Sequence, residues 1–590
     1  MPKFIFFFLI SAFSFAQTNT YEISFENAVP HEAKIKASFP NVKSHSLTIN
    51  MSRTSPGRYA LHEFAKNVYG FKAINSKGKE LKVTRNNPYS WSISGHDGTV
   101  NIEYVLFANR GDGTYSQIDN THAHLNIPAT FIFAETLKHR PIEVKFILPD
   151  TSDWKVATQL KKLNTNRYTA PNLYYFMDSP MELSDFSLRE FRMDGKNIRF
   201  ALHHDGTEAE LDAYFEQVKR IVEQEKMVFG ELPEFDFNEY TFIACYLPNV
   251  SGDGMEHRNS TILTGTESLA DGGMKGNIGT VSHEFFHAWN VERIRPADLE
   301  PFDFSKANMS GSLWFAEGFT SYYTNLILCR ANILTPDEYV KSLNGTFNYV
   351  WNSPAHAYFN PIGMSYQAPF VDAAKSVDPV NRENTFISYY SYGSVLGLAL
   401  DLSLREQGLN LDDYMQQVWN TYGKTEVSYT IKDLKESLSK YAGKHFGSEF
   451  FENYIYKSEM PNYGELFKSV GLQLTQDGEK GHFGASLKET ENSVQISSNP
   501  KIGSPAYKAN LNRGDKITAV NGKGITTMKE WEAIINESKP ETSLDVTYSR
   551  NNKEGKMKVT LSQDPTYEIS IDENADKKAQ KARAAWLATK

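Results

Sequence analysis

The stretch VSHEFFHAWNVERIRP, residues 281–296, sets two histidines four residues apart, with a glutamate directly after the first. On a helix, positions i and i+4 share a face one turn apart, so His283 and His287 would bring two imidazoles together. That donor type and spacing suit zinc. Glu284 sits one residue further round, poorly placed as a third ligand but able to reach a water at the metal as a general base. A catalytic zinc takes three protein ligands and leaves one position open. The apolar segment SLWFAEGFTSYY, residues 312–323, offers Glu317, a carboxylate whose burial would be costly without a cation beside it. The competing reading is a plain core helix with Phe285, Phe286, Ala288 and Trp289 as its apolar face; the complete donor set favours the metal.

Those residues need a scaffold, and the patterning around them supplies one. EAELDAYFEQVKRIVEQEKMVFG places Leu211, Tyr214, Val218, Ile221 and Val222 on a helical stripe, and the strand EYTFIACYLP follows. Helical patterns dominate from Asn277 to about Tyr456. They are interrupted by a loop-rich segment, residues 351–384, long enough to line a site. Before residue 200 the chain alternates in short runs such as IEVKFIL, where Ile142, Val144, Phe146 and Leu148 share one face. Turn clusters separate these runs, which predicts an antiparallel β module, a sandwich. In a third module, from about Gly464, IGSPAYKANLNRGDKITAVNGKGI (502–525) combines a short helix, Arg-Gly-Asp, a strand and an Asn-Gly turn, and it resembles a PDZ domain. LDVTY and MKVTL would be its last strands, and HFGASL (482–487) its peptide-binding loop and strand. The residues ENADKKAQKARAAWLATK read as an exposed helix or tail.

A chain of 590 residues is too long for one core, and 40% hydrophobic with 23% charged residues is a globular composition. The net charge of −9 is spread along the chain without a basic stripe, which excludes nucleic acid as a partner. MPKFIFFFLISAFSFAQ has a lysine, an apolar run too short to span a bilayer and a small-x-small step at Ser14-Phe15-Ala16. It reads as a signal peptide cleaved before Gln17. No later stretch is long and apolar enough to span a membrane, so an exported protein, periplasmic or secreted, is expected. Cys245 and Cys329 both lie in apolar runs. A disulfide is permitted, two buried thiols are as consistent, and neither has a zinc-type neighbour in sequence; no function is assigned to them.

HEFFHAWNVERIRP, the downstream PFDF and LWFAEGFTSYY together resemble the glycyl aminopeptidase family of zinc metallopeptidases, gluzincins related to aminopeptidase N and thermolysin. Glu292 stands where that family's pattern has a basic residue. The resemblance implies a multidomain α+β protein with a signal peptide at 1–16 and an N-terminal antiparallel β domain at 17–200. A thermolysin-like zinc peptidase domain with helical additions at 201–460, a PDZ domain at 461–565 and a C-terminal tail at 566–590 would follow. It further implies one Zn2+ held by His283, His287 and Glu317, with Glu284 as the base. SGDGMEHRNS (251–260) is similar to the family's exopeptidase segment, which makes Glu256 the candidate for holding a substrate's α-ammonium and His257 a site-lining residue. ISYYSYGSVLGLALDL (387–402) resembles the relatives' catalytic tyrosine helix; aligning Gly393 selects Tyr390 for the oxyanion, with Tyr389 and Tyr392 as alternatives. The implied activity is removal of small N-terminal residues from peptides, with the PDZ domain binding a peptide or protein C-terminus. The rivals are a cell-envelope zinc endopeptidase and a catalytically retired PDZ binding protein.

Overall fold

The computed structural model describes residues 17–150, 152–371 and 378–590; the expected signal peptide at 1–16 lies outside the described residues. The chain forms two compact units. One comprises the chain up to Pro56, His62–Asp205 and Phe235–Thr266; the other comprises Gly57–Leu61, Gly206–Glu234 and Glu267–Lys590.

The first unit is built of sheets. In its seven-stranded sheet, Ile142–Ile147 turns Ile142, Val144 and Phe146 inward, as the alternation predicts. This strand pairs in parallel with Asn19–Asn27, so the expected antiparallel module is not purely antiparallel. The two strands are far apart in sequence, and no hairpin dictates their direction. A four-stranded sheet contains Ala123–Leu125 and Met181–Ser184, paired antiparallel with Glu182 opposite His124. A five-stranded sheet runs in the order Ser187–Met193, Lys196–His204, Glu239–Tyr246, Ser260–Gly265, Asp253–His257. Lys196–His204 crosses the expected domain boundary at 200 and pairs in parallel with Glu239–Tyr246. The strands after the Glu208–Phe229 helix therefore return to the β unit.

The second unit is largely helical. Its Glu208–Phe229 helix opens on a capping box, Thr207 with Glu210, closes on Gly230 in the left-handed region and buries the predicted stripe. The Leu313–Arg330 and Tyr389–Glu406 helices cross with Gly318 against Gly393. A Cβ on Gly393 would lie 1.8 Å from the Trp314 carbonyl oxygen, and one on Gly318 would lie 2.3 Å from the Gly393 Cα. Only glycine permits so close an approach. The loop-rich segment folds into short helices, among them Pro361–Ser365, whose Ser365 hydroxyl accepts from the Trp314 amide at the start of the Glu317 helix.

The carboxy-terminal module carries a six-stranded sheet with the helices Pro505–Lys508 and Met528–Glu537. The expected final strands are Ser543–Arg550 and Lys553–Thr560, and Leu487–Thr490, following the HFGASL loop, is an edge strand. The module departs from and returns to a two-stranded ribbon, Leu472–Gln476 with Tyr567–Ile571, in which Gln476 lies opposite Tyr567. The far edge of Tyr567–Ile571 is held by a ladder of amides on the Pro336–Trp351 helix and its C-cap. Asn344 exchanges hydrogen bonds with both backbone groups of Ile569, Asn348 with both of Tyr567, and Asn352 donates to Pro565 O. The final segment forms the expected helix, but it is anchored rather than exposed throughout. Its helix Lys577–Leu587 buries Trp586 completely; the indole donates to Tyr322 Oη at 3.0 Å, and Arg330 donates to the Trp586 carbonyl. One aromatic anchor docks a helix that otherwise carries lysines, an arginine, a glutamine and small alanines.

Candidate metal centre

His283 lies on the helix Ile278–Phe286, and His287 is that helix's C-cap residue, still in the right-handed helical region. The i, i+4 relation therefore survives the end of the helix. The two Nε2 atoms are 3.2 Å apart. Glu317, buried on the Leu313–Arg330 helix, brings Oε2 to 3.2 Å from His287 Nε2 and 3.7 Å from His283 Nε2. Its Oε1 accepts from the Tyr59 hydroxyl at 2.7 Å, while Oε2 makes no aligned hydrogen bond. A buried carboxylate oxygen aimed at two imidazole nitrogens is the arrangement a cation resolves. Ligand bonds of about 2.0–2.2 Å in tetrahedral array need donor separations of about 3.3 Å, so these three atoms fit zinc.

Each ligand is oriented from behind. His283 Nδ1 lies 3.1 Å from the Thr324 hydroxyl, and His287 Nδ1 faces the Asn290 carbonyl, which leaves both Nε2 atoms directed at the centre. The Asn290 side chain donates to Phe315 O, Ala316 O and Thr320 Oγ1, so one residue ties His287 to the helix that bears Glu317. Burial alone would raise the Glu317 carboxyl, but the facing imidazoles outweigh it and hold the group well below the usual carboxylate range. Burial, with His287 beside it, holds His283 below the ordinary histidine range, toward the neutral form a metal ligand requires.

Glu284 is buried on the same helix, with a carboxylate oxygen within 4.8 Å of a His287 ring nitrogen. The Tyr390 ring lies beside His283, centroids 5.9 Å apart. Its neighbours are turned elsewhere. Tyr389 is buried edge-on against Tyr59, and Tyr392 is buried with its hydroxyl 3.1 Å from His356 Nδ1. The Gly318–Gly393 crossing explains the juxtaposition, since it presses the start of the Tyr390 helix onto the Glu317 helix. The structure thus gathers His283, Glu284, His287, Glu317 and Tyr390 in the second unit. Glu256 belongs to the first, where it is buried on the edge strand Asp253–His257. His257 Nδ1 is 3.0 Å from Asp178 Oδ1, within that unit.

Several contributors escape the sequence reading. Tyr59 comes from far upstream, with no local pattern to mark it. Asn290 stands inside the quoted motif but shows its purpose only through carbonyls on another helix. Glu225, fully buried on the Glu208–Phe229 helix, accepts from the Ser282 hydroxyl at 3.2 Å, and burial pushes its carboxyl well up.

The sequence profile of the Peptidase M61 N-terminal domain matches residues 20–185, that of M61 glycyl aminopeptidase residues 276–396, and that of the PDZ domain residues 481–561. A crystal structure of an aminopeptidase N family protein from Idiomarina loihiensis is similar with a TM-score of 0.86 at 22% identity, over 97% of this chain and 100% of that one; the likeness is one of fold. An M1 zinc metallopeptidase from Deinococcus radiodurans gives a TM-score of 0.44 at 11% identity, over 76% of this chain and 95% of that one. A probable CtpA-like serine protease of Staphylococcus aureus is 27% identical over 153 residues, and the chain spans 26% of that relative's length.

Proposed function

Because this chain belongs to the M61 glycyl aminopeptidase family of zinc metallopeptidases, we propose that it is a zinc-dependent aminopeptidase removing small N-terminal residues such as glycine or alanine from peptides. The observation that carries this reading is the convergence of His283, His287 and Glu317 on one point, with Glu317 Oε2 in no aligned hydrogen bond and Tyr390 alongside. These three residues would hold zinc, which when bound supplies Lewis acidity toward a peptide carbonyl. Glu284 accepts a proton from the attacking water and delivers it to the departing amine. The Tyr390 phenol donates a hydrogen bond to the oxygen on which charge develops. Glu256 pairs with the substrate's α-ammonium, a role supported by the sequence resemblance alone, and so fixes which bond is cut.

The reading is tested with a panel of free and N-acetylated small peptides, assayed with zinc and with chelator. Free-amine peptides should be hydrolysed in a chelator-sensitive way and acetylated ones nearly spared. Glu256→Ala should lower kcat/KM on free-amine peptides by about 2–4 kcal/mol in transition-state terms, with zinc content unchanged. Acetylated peptides cut internally as fast as free ones would transfer the protein to the endopeptidase reading. Absence of turnover in a zinc-loaded protein would leave a PDZ binding protein.

The PDZ domain is read as the site for a peptide or protein C-terminus added beside the edge strand Leu487–Thr490. Export to the periplasm or beyond rests on the sequence of residues 1–16, and N-terminal sequencing of the mature protein, expected to begin at Gln17, tests it.

A further inference from the structure

Away from the catalytic centre, the first unit encloses a second group of metal-ligand side chains. His122, Glu182, His203 and Cys245 each bring one donor atom within 4.8 Å of the others, and all four residues are buried. The separations are 3.0 Å between the two Nδ1 atoms, 3.8 and 3.3 Å from Glu182 Oε1 to those of His122 and His203, and 3.9 Å from Cys245 Sγ to each Nδ1. A tetrahedral zinc with nitrogen and oxygen at about 2.0–2.2 Å and sulfur at about 2.3 Å needs donor separations of about 3.3–3.7 Å.

The surroundings orient these donors as the backing of a metal site does. Gln117 donates from its Nε2 to Asn249 O, so its Oε1 faces His122 Nε2 at 3.2 Å and accepts a hydrogen bond from the ring N–H there. The His122 tautomer is thereby set, and its Nδ1 presents a lone pair to the cluster. His124 has both ring nitrogens 3.0 Å from acceptors, Glu182 Oε2 and Asp112 O. Both partners are acceptor oxygens, so the ring donates to each. One Glu182 oxygen is therefore occupied, and the other, fully buried, makes no aligned hydrogen bond. A lone pair on His122, an unsatisfied carboxylate oxygen, a second imidazole and a thiol around one point lack only a shared cation. His203 also lines an open cavity of about 850 Å³ whose wall carries Glu26, Asp119, Asp153, Asp185 and Asp205, an acidic approach for a cation.

We propose that His122, Glu182, His203 and Cys245 form a second, four-ligand metal site, filled by zinc, that staples two sheets of the first unit together and takes no part in hydrolysis. Glu182 and the strand that follows His122 belong to the four-stranded sheet; His203 and Cys245 are register partners on parallel strands of the five-stranded one. Four protein ligands leave no open position, which is the structural rather than the catalytic type of zinc site.

The test counts metal on the full chain, purified with its thiols reduced, loaded with Zn2+ and freed of excess. Two equivalents per chain are expected, one in Glu317→Ala, and one in Cys245→Ser with turnover of a free-amine peptide retained. Should Cys245→Ser fail to fold, cobalt(II) exchanged into the unmutated protein decides. Thiolate-to-cobalt charge transfer in the near ultraviolet should appear and persist in Glu317→Ala, because the catalytic cluster contains no cysteine. A single equivalent in the wild-type chain, or folded cobalt protein without the thiolate band, would overturn the site and leave a hydrogen-bonded group of side chains.

Discussion

His283 and His287 are neighbours because one helix turns once between them, whereas His203 and Cys245 are neighbours because two parallel strands run in register. The first kind of neighbourhood is written into the order of residues. The second is written only into the pairing of strands, and His122 and Glu182 join it from another sheet. The two clusters also differ in access. His283 keeps 18% of its side chain exposed beside a phenol and a buried carboxylate that are not ligands, while Glu182 and His122 are wholly buried. On the proposed readings, similar donors serve different ends, an open position for chemistry in one case and a closed cross-link in the other.

The largest effect that sharpens this contrast is at Glu284, which has no counterpart in the second cluster. Glu284→Gln should lower kcat by about 10²–10⁴-fold, the scale of general acid–base catalysis, while the zinc count stays at the wild-type value. Substantial residual turnover would remove Glu284 from the mechanism. Next is Asn290→Ala, which releases the link between His287 and the carbonyls of Phe315 and Ala316. The catalytic cluster should then bind zinc about 10–100-fold more weakly, read by competition with a chromophoric chelator. The smallest expected change is at the second cluster. Gln117→Leu removes the group that sets the His122 tautomer and should weaken metal binding there about 10-fold, with hydrolysis untouched. If Gln117→Leu altered turnover, or Asn290→Ala left zinc affinity as it was, the division between an open and a closed cluster would break.

The sequence disclosed what lay within one helix. Glu317 stood out because an apolar helix has little other use for a carboxylate, and the glycines after Glu317 and Tyr390 prove to be the points where their helices touch. Three tyrosines near one helix start could not be told apart, because successive residues differ by about 100° round the axis and the packing partners, Tyr59 and His356, come from distant segments. Cys245 was assigned nothing, since its imidazole partners stand 123 and 42 positions away. The C-terminal segment looked exposed because its few buried residues, Ala579, Trp586 and Leu587, are outweighed by lysines in any average over the helix. In each case the missing information was a contact between elements.

The ribbon from which the PDZ module departs makes that module a cassette. Gln476 and Tyr567 face each other, about 4.5–5.5 Å apart at their Cα atoms as antiparallel partners are, so a short hairpin turn could close the gap. Replacing residues 477–566 in this way keeps Tyr567–Ile571 on Asn344 and Asn348 and Trp586 in its socket, whereas cutting the chain at residue 464 would discard both. The exchange would not be silent. Asn384 donates to Pro500 O and accepts from the Ile502 amide, and it lies just ahead of the helix that carries Tyr390. A cassette-free protein should therefore fold and bind both metals yet lose part of its kcat, restored by grafting in another module that meets Asn384 the same way. In the language of genetic exchange, the protein can trade what it recognises at one seam, provided it keeps faith with the other.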